Sequence, residues 1–303
     1  MKRILNTLVI IAVITLSASA QQLPQYSQYA MNSYVLNPAL SGANDYFEVK
    51  SNNRYQWQGI TDAPRTYIMS VNGPYKTLKF GYGGYVFTDV TGPTRRVGFS
   101  LSYAYHTKIT EKIKLGLGLS AGMLQFAVDG SKIVTHDQGD LVLSNGYQSV
   151  LVPDFGFGFI LRGDKWYVGA SVPQLYPAKL KFFDYTSDTK SKLASHVFVN
   201  AGYKYSINDN FLLEPMLMVK YVAPVPVQFD IGARVMYKEM VWLGVNYRTR
   251  DAVSAMVGYT FKNNISFAYA YDITLTNLKN YTTGTHEIML GLRFNNKKPL
   301  GGK

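Results

Sequence analysis

The sequence predicts an all-β protein, a transmembrane antiparallel β-barrel of about 14 strands of the outer-membrane type. Three observations carry this. The chain opens on an export signal and then holds no apolar run long enough for a spanning helix. Runs of alternating apolar and polar residues recur from Tyr46 to Phe294. The connections between those runs fall into a short polar series and a longer one.

The signal comes first. Met1-Lys2-Arg3 precedes an apolar stretch, Ile4 to Leu16, and Ser17-Ala18-Ser19-Ala20 supplies a small-residue end. A basic start, a short apolar centre and an Ala-x-Ala end describe a cleaved secretory signal over 1–20. Roughly 13 apolar residues fall short of the ~20 that span a bilayer as a helix. The chain has no cysteine, which excludes a lipoprotein anchor and a disulfide framework. The net charge of +12, about +10 without Lys2 and Arg3, is scattered over turns and strand ends. That scatter and export argue against nucleic acid as a partner.

Residues 21–45 are polar and rich in Tyr and Asn, with Pro24 and Asn37-Pro38 as breakers. They read as an irregular segment ahead of the first strand. The barrel then runs over 46–295, with a short tail over 296–303. Its predicted strands are Tyr46–Trp57, Thr66–Pro74, Leu78–Thr88, Arg96–His106, Lys112–Gly122, Asp154–Leu161 and Trp166–Val172. His196–Ser206, Phe211–Tyr221, Val227–Tyr237, Val241–Tyr247, Ala252–Phe261, Ile265–Ile273 and Thr285–Phe294 follow. In Lys112–Gly122 the residues Ile113, Leu115, Leu117, Leu119 and Ala121 share one parity. Lys114, Gly116, Gly118, Ser120 and Gly122 share the other. A helix would scatter those leucines, and each glycine would cost it ~1 kcal/mol.

Short polar turns such as Arg162–Lys165, Asn208–Asn210, Lys238–Met240 and Lys262–Asn264 alternate with long connections, Val128–Pro153, Pro173–Ser195 and Thr274–Gly284. Outer-membrane barrels pair short periplasmic turns with longer outside loops, so the expected location is the outer membrane with both termini periplasmic. Tyr and Phe gather at run ends, where a ring is apolar and a hydroxyl wet, as at a bilayer interface. A soluble β-sandwich is the competing reading, but it gives no reason for the two connection series.

On the parity opposite the apolar one stand Glu214, Asp230, Arg234, Arg248, Asp272, Glu287 and Arg293, the candidate lumen-lining residues. Asp230 and Arg234 share a face, and Asp272, Glu287 and Arg293 sit on adjacent strands. Paired in water they would contribute ~0–1 kcal/mol per pair; unpaired, they would set an ion preference. The glycines of Gly116–Gly122 leave luminal room for packed neighbouring side chains, or for a plug or a polypeptide. They lack phosphate-loop spacing and no helix follows them. His106, His136, His196 and His286 lack metal-ligand spacing, and His286 falls on the lipid-facing parity, so neither a metal site nor a catalytic triad is expected. The chain reads as a non-enzyme without cofactors.

The segment Gln25-Tyr26-Ser27-Gln28-Tyr29, with Asn32 and then Asn37-Pro38-Ala39-Leu40-Ser41-Gly42, resembles the opening of the PorP/SprF family of outer-membrane proteins of type IX secretion and gliding. Arg54, Trp57 and Gly59 with Ala63-Pro64-Arg65-Thr66 resemble its first hairpin. Further matches follow in order: Phe80–Gly84, Asp89 with Thr91-Gly92-Pro93, Pro153–Gly158, Tyr247-Arg248 with Asp251-Ala252, Tyr271-Asp272-Ile273 and Gly284–Ile288. At the opening, Leu23-Pro24-Gln25-Tyr26 stands where the family more usually has an acidic residue, proline and phenylalanine. The resemblance implies a barrel in lipid that assists secretion, surface display or anchoring of a large partner, such as an adhesin with a C-terminal sorting domain, together with other secretion-system components. A passive porin or small-molecule channel is the alternative.

Residues Tyr26, Ser27, Gln28, Tyr29, Asn37 and Pro38 are candidates for a periplasmic plug or partner-docking surface, because a disordered leader is normally poorer in aromatics. Mass spectrometry of the purified mature protein should find Gln21 as its first residue. An intact Met1 would remove the signal-peptide reading.

Overall fold

The structure is a computed structural model that describes residues 23, 25–75, 79–133, 146–180 and 192–294. Fourteen antiparallel strands form one ring. They are β1 (Phe47–Tyr55), β2 (Arg65–Pro74), β3 (Phe80–Thr91), β4 (Thr94–Lys108), β5 (Lys114–Asp129), β6 (Tyr147–Arg162) and β7 (Trp166–Val172). The ring continues with β8 (Val197–Tyr203, extended by Tyr205–Ser206), β9 (Phe211–Val222), β10 (Val225–Tyr237), β11 (Val241–Arg248), β12 (Ala252–Phe261), β13 (Ile265–Thr274) and β14 (Thr285–Phe294). Each strand pairs with its sequence neighbours, and β1 closes on β14 from Phe47 opposite Phe294 to Tyr55 opposite His286. Every described strand is paired on both sides, although β7 covers only Phe157–Arg162 of β6, so the ring has no free edge strand of the kind hydrocarbon forbids. Among the described residues no helix is long and apolar enough to cross a membrane.

The alternation seen in sequence decides which side chains face out. On β14 the inward Thr285, Glu287, Met289 and Gly291 are buried, whereas Leu290, Leu292 and Phe294 are about half exposed. The same holds on β11, where Trp242, Gly244, Asn246 and Arg248 are buried and Val241, Leu243, Val245 and Tyr247 exposed. The outer surface is therefore a belt of Leu, Val, Ile and Phe. Aromatic rings flank it toward one mouth, such as Phe211 near Tyr237 and Phe80 near Tyr103 and Tyr105, and toward the other, such as Tyr55 on Tyr67.

The two mouths differ. The lower one carries the turns after β2, β4, β6, β8, β10 and β12, all short. At the upper mouth the connections β1–β2, β5–β6, β7–β8 and β13–β14 are long. The β3–β4, β9–β10 and β11–β12 connections there span only two or three residues, so the alternation of lengths is partial. Both β5 and β6 outrun their expected bounds, reaching Asp129 and starting at Tyr147. Along that extra length the inner face turns apolar, with Leu124, Phe126, Val150 and Val152, which hid the alternation. Inward Leu124 and Val152 pack under Ala178, Leu180 and Leu193 from the β7–β8 connection.

Leu290 faces out at 51% exposure between Ser51 and Phe267 on the neighbouring strands. Leu290→Arg should cost ~2–4 kcal/mol of membrane stability, read as a lower urea midpoint of the folded, heat-modifiable band. Insertion as good as wild type would show the face assignment to be wrong.

Candidate functional site: a lumen threaded by the N-terminal segment

The segment before β1, expected as a plug or docking surface on the periplasmic side, is not confined to one mouth. It runs the length of the lumen. At the upper mouth the Leu23 amide donates to His196 Nε2 (3.2 Å) and Gln25 Nε2 donates to Gln228 Oε1 (2.9 Å). Burial pushes the His196 imidazole down to about 4, so it meets Leu23 as a neutral acceptor at pH 7. Midway, the Tyr34 hydroxyl bonds Ser102 Oγ (2.7 Å) and Asn32 Nδ2 donates to Asn52 Oδ1 (2.7 Å). Asn37 caps a short 3-10 turn, Pro38–Leu40, by accepting from the Ala39 amide, and Nδ2 donates to the Phe159 carbonyl of β6 (3.0 Å). Near the lower mouth His106 Nε2 meets the Ser41 carbonyl (2.8 Å), and the chain then turns into β1. The ends of the described chain therefore lie at opposite mouths, Leu23 at the upper and Phe294 at the lower. The termini themselves, expected on the periplasmic side, lie outside the described residues; between Leu23 and Ser41 it is the lumen, rather than the rim, that satisfies the segment's polar groups.

Glycines on the wall make the path. A Cβ on Gly118 would lie 2.3 Å from the Ala39 amide nitrogen, and one on Gly81 would lie 2.0 Å from the Ser41 carbonyl oxygen. One on Gly158 would lie 2.1 Å from Asn37 Oδ1. Gly81 and Gly118 make room for the segment's backbone and Gly158 for the Asn37 carboxamide, not for long neighbouring side chains of the wall.

The electrostatic centre is Ser27, which the structure places among inward side chains of five strands and one turn. Its amide donates to Glu287 Oε2 (2.8 Å) and its hydroxyl to Asp272 Oδ2 (2.6 Å). Arg54 binds the same two carboxylates, Nη2 to Asp272 (2.7 Å) and Nη1 to Glu287 (3.0 Å), and donates to Ser27 Oγ (2.9 Å). Arg248 pairs with Asp230 through Nε (3.1 Å) and with Asp251 through Nη1 (3.2 Å), and its Nη2 donates to the Tyr26 carbonyl (3.3 Å). Gln28 completes the set, its amide donating to Glu287 Oε1 and its Nε2 to the Glu287 carbonyl. Arg54, Arg248, Asp230, Asp272 and Glu287 are all at most 2% exposed. They are dry partners of a buried chain, not solvated charges.

A second cluster lies toward the lower mouth. Glu214 holds Arg234 (2.6 Å), and Glu48 holds both Lys50 (2.6 Å) and Arg293 (3.0 Å). The Lys50 ammonium also donates to the Met31 carbonyl, and Arg234 Nη1 reaches Met31 Sδ (2.8 Å). Cavities open at both mouths. One of about 560 Å³ opens at the upper mouth beside Gln25, Trp57, Asp89 and Arg96; one of about 260 Å³ opens at the lower mouth beside Met31, Glu48, Arg162 and Arg293. Between them, among the described residues, the segment leaves pockets of about 10 Å³ beside Tyr26 and Tyr29, too small to carry a solute.

Histidines do not cluster. His106 and His196 touch the segment as described, and His286 faces out against the Tyr269 hydroxyl (2.6 Å), away from Ser266 on the inner parity. His136 lies outside the described residues. Among the described residues no group of His, Asp and Glu has metal-binding geometry.

Residues 18–292 match the family described as Type IX secretion system membrane protein PorP/SprF. The chain belongs to that family. Among solved structures this PorP/SprF barrel is similar to the CymD monoaromatic hydrocarbon channel, at 12% identity and a TM-score of 0.51, covering 89% of this chain and 92% of that one. It is also similar to a Pseudomonas aeruginosa FadL homologue, at 13% identity and a TM-score of 0.45, covering 89% and 94%. The CymD likeness shows an outer-membrane barrel fold and nothing more. No curated protein sequence matches.

The residues by which the chain resembles PorP/SprF proteins converge in space. Arg54, Arg248, Asp251, Asp272 and Glu287, drawn from motifs up to 233 positions apart, meet around Ser27 of the opening motif. Sequence reasoning placed Ser27 and three of its partners, Arg248, Asp272 and Glu287, among candidate residues but left out Arg54, and Glu48 and Lys50 of the second cluster. Their signal was available: Glu48, Lys50, Asn52 and Arg54 alternate on one strand.

Arg54→Ala strands Asp272 and Glu287 without their cation, a loss of the ~3–5 kcal/mol kind. In planar bilayers the wild-type barrel should hold closed, and Arg54→Ala should show frequent openings. Arg54→Lys should be intermediate, since an ammonium cannot span both carboxylates as a guanidinium fork does. Equal conductance in all three would remove the ion cluster as the segment's anchor.

Proposed function

We propose that this PorP/SprF barrel assists secretion, surface display or anchoring of a large partner protein, such as an adhesin with a C-terminal sorting domain, and is not a passive pore. One observation carries the reading: the barrel's own N-terminal segment fills the lumen from mouth to mouth and is tied there by buried ion pairs. A diffusion channel needs an open path, and a path filled by a segment held in buried ion pairs and hydrogen bonds does not open spontaneously at low cost. Family membership supplies the secretion context. The short turns are periplasmic and the long connections outside, as is usual for such barrels. In that orientation the lower cavity faces machine components and the upper one faces the exported partner. Tyr26–Tyr29 and Asn37-Pro38 form the plug. Glu214, Asp230, Arg234, Arg248, Asp272, Glu287 and Arg293 line the lumen and hold it.

The test is a detergent pull-down of the tagged barrel with mass spectrometry of what stays bound, alongside a strain lacking it. A secreted surface protein should co-purify and vanish from the surface of the deletion strain. Unaltered surface proteins together with a small-solute uptake defect would favour the channel instead.

A further inference from the structure

The lower mouth is lopsided in charge. On one side Glu48 and Glu214 hold the cations Lys50, Arg293 and Arg234. On the other side the inward parity ends in a row of cations. Lys108 closes β4, Lys114 opens β5 and Arg162 closes β6; the strand pairing sets Lys108 opposite Lys114 and Lys114 opposite Arg162. Arg162 faces Tyr167 on β7, whose partner on β8 is Gly202, and Lys204 follows two residues later. Lys108 has Glu111 at 3.1 Å. Among the described residues Lys114, Arg162 and Lys204 have no ion pair and no side-chain hydrogen bond, and the nearby Asp45 and Asp164 form no ion pair either. The space before the row is open. The lower cavity of about 260 Å³ and a second of about 210 Å³ beside Lys112, Asp164 and Trp166 both reach Ala43, Arg162, Tyr167 and Lys204, so a groove runs from the lumen out over the rim.

Like charges directly opposite one another destabilise a sheet. Three in register, with Arg162 half-buried, call for anions from outside the wall. The row is on the inward parity, so lipid headgroups outside the ring do not reach it. From β4 to β8 it crosses four strand spacings of about 4.8 Å, roughly 19 Å. A single phosphate meets two such cations at most. An extended peptide of about six residues, at ~3.3 Å each, covers the whole row and sets carboxylates along it. Arg162 offers a carboxylate a bidentate fork, and Tyr167 beside it offers a hydroxyl. We propose that this groove docks an acidic, extended segment of a periplasmic partner protein, whose carboxylates neutralise Lys114, Arg162 and Lys204. The side of the membrane rests on the orientation given in the secretion reading; the acidic chemistry of the occupant does not.

Fluorescein-labelled hexaglutamate should bind the purified barrel in detergent at low ionic strength, read by anisotropy, and hexaglutamine should not. Arg162→Gln combined with Lys204→Gln should keep the heat-modifiable fold and weaken binding about tenfold, the loss of two ion pairs at the rim. Arg162→Lys, which keeps the charge, should lose less than Arg162→Gln. Lys132→Gln combined with Lys279→Gln removes the same charge from the upper mouth and should change nothing. A photo-cross-linking hexaglutamate should label residues 162–165 or the end of β8 near Lys204. Absence of hexaglutamate binding, equal weakening by the upper-mouth pair, labelling confined to the upper mouth, or binding of tripolyphosphate in place of the peptide would each overturn the proposal. If the peptide binds and labels as expected while a strain lacking the barrel keeps its surface proteins, the acidic site stands and the secretion reading alone fails.

Discussion

The structure depends on one contact: Ser27 of the N-terminal segment held between Arg54, Asp272 and Glu287. Each carboxylate accepts from both the segment and a wall arginine, so neither wall nor segment is satisfied without the other. Buried charges are tolerable only when paired and hydrogen-bonded, and here the pairing is divided between two parts of the chain. A fourteen-strand ring encloses more space than its own inward side chains fill. The segment supplies the missing atoms, with Tyr26, Tyr29, Tyr34 and Ala39 as its buried apolar content.

This explains an inner wall of unusual texture. Where the segment is backbone-close, the wall is glycine, at Gly81 and Gly118. Where it presents amides and hydroxyls, the wall offers Ser102, Asn52, Asp272 and Glu287. Where neither applies, Met216, Met218, Met256 and Met289 fill irregular space with unbranched, adaptable side chains.

Strand number, facing and the charged inner parity were legible in the sequence, because lipid on one side and polar groups on the other impose a two-residue period. The upper ends of β5 and β6 were not, since the β7–β8 connection makes their inner face apolar too. The course of Leu23–Gly42 was not legible either. An irregular segment has no period, and its contacts lie with residues more than 200 positions away, such as Asp272 and Glu287. Nor was the burial of the inner charges: alternation tells that Asp230 and Arg248 face inward, not whether water or chain meets them there. Family resemblance picked out most of the residues around Ser27 without indicating that they touch.

The direction of threading has a mechanical consequence. The segment is tethered at the lower mouth, where Gly42 sits against Gly73 and Gly81 and the chain enters β1 at Phe47. Its other end, Leu23, lies at the upper mouth. To vacate a closed ring it must be drawn down through the whole lumen, tail last, like a thread pulled back through a bead. Traction from the lower side empties the barrel. A bulky body fastened to the Leu23 end acts as a stopper and locks it shut.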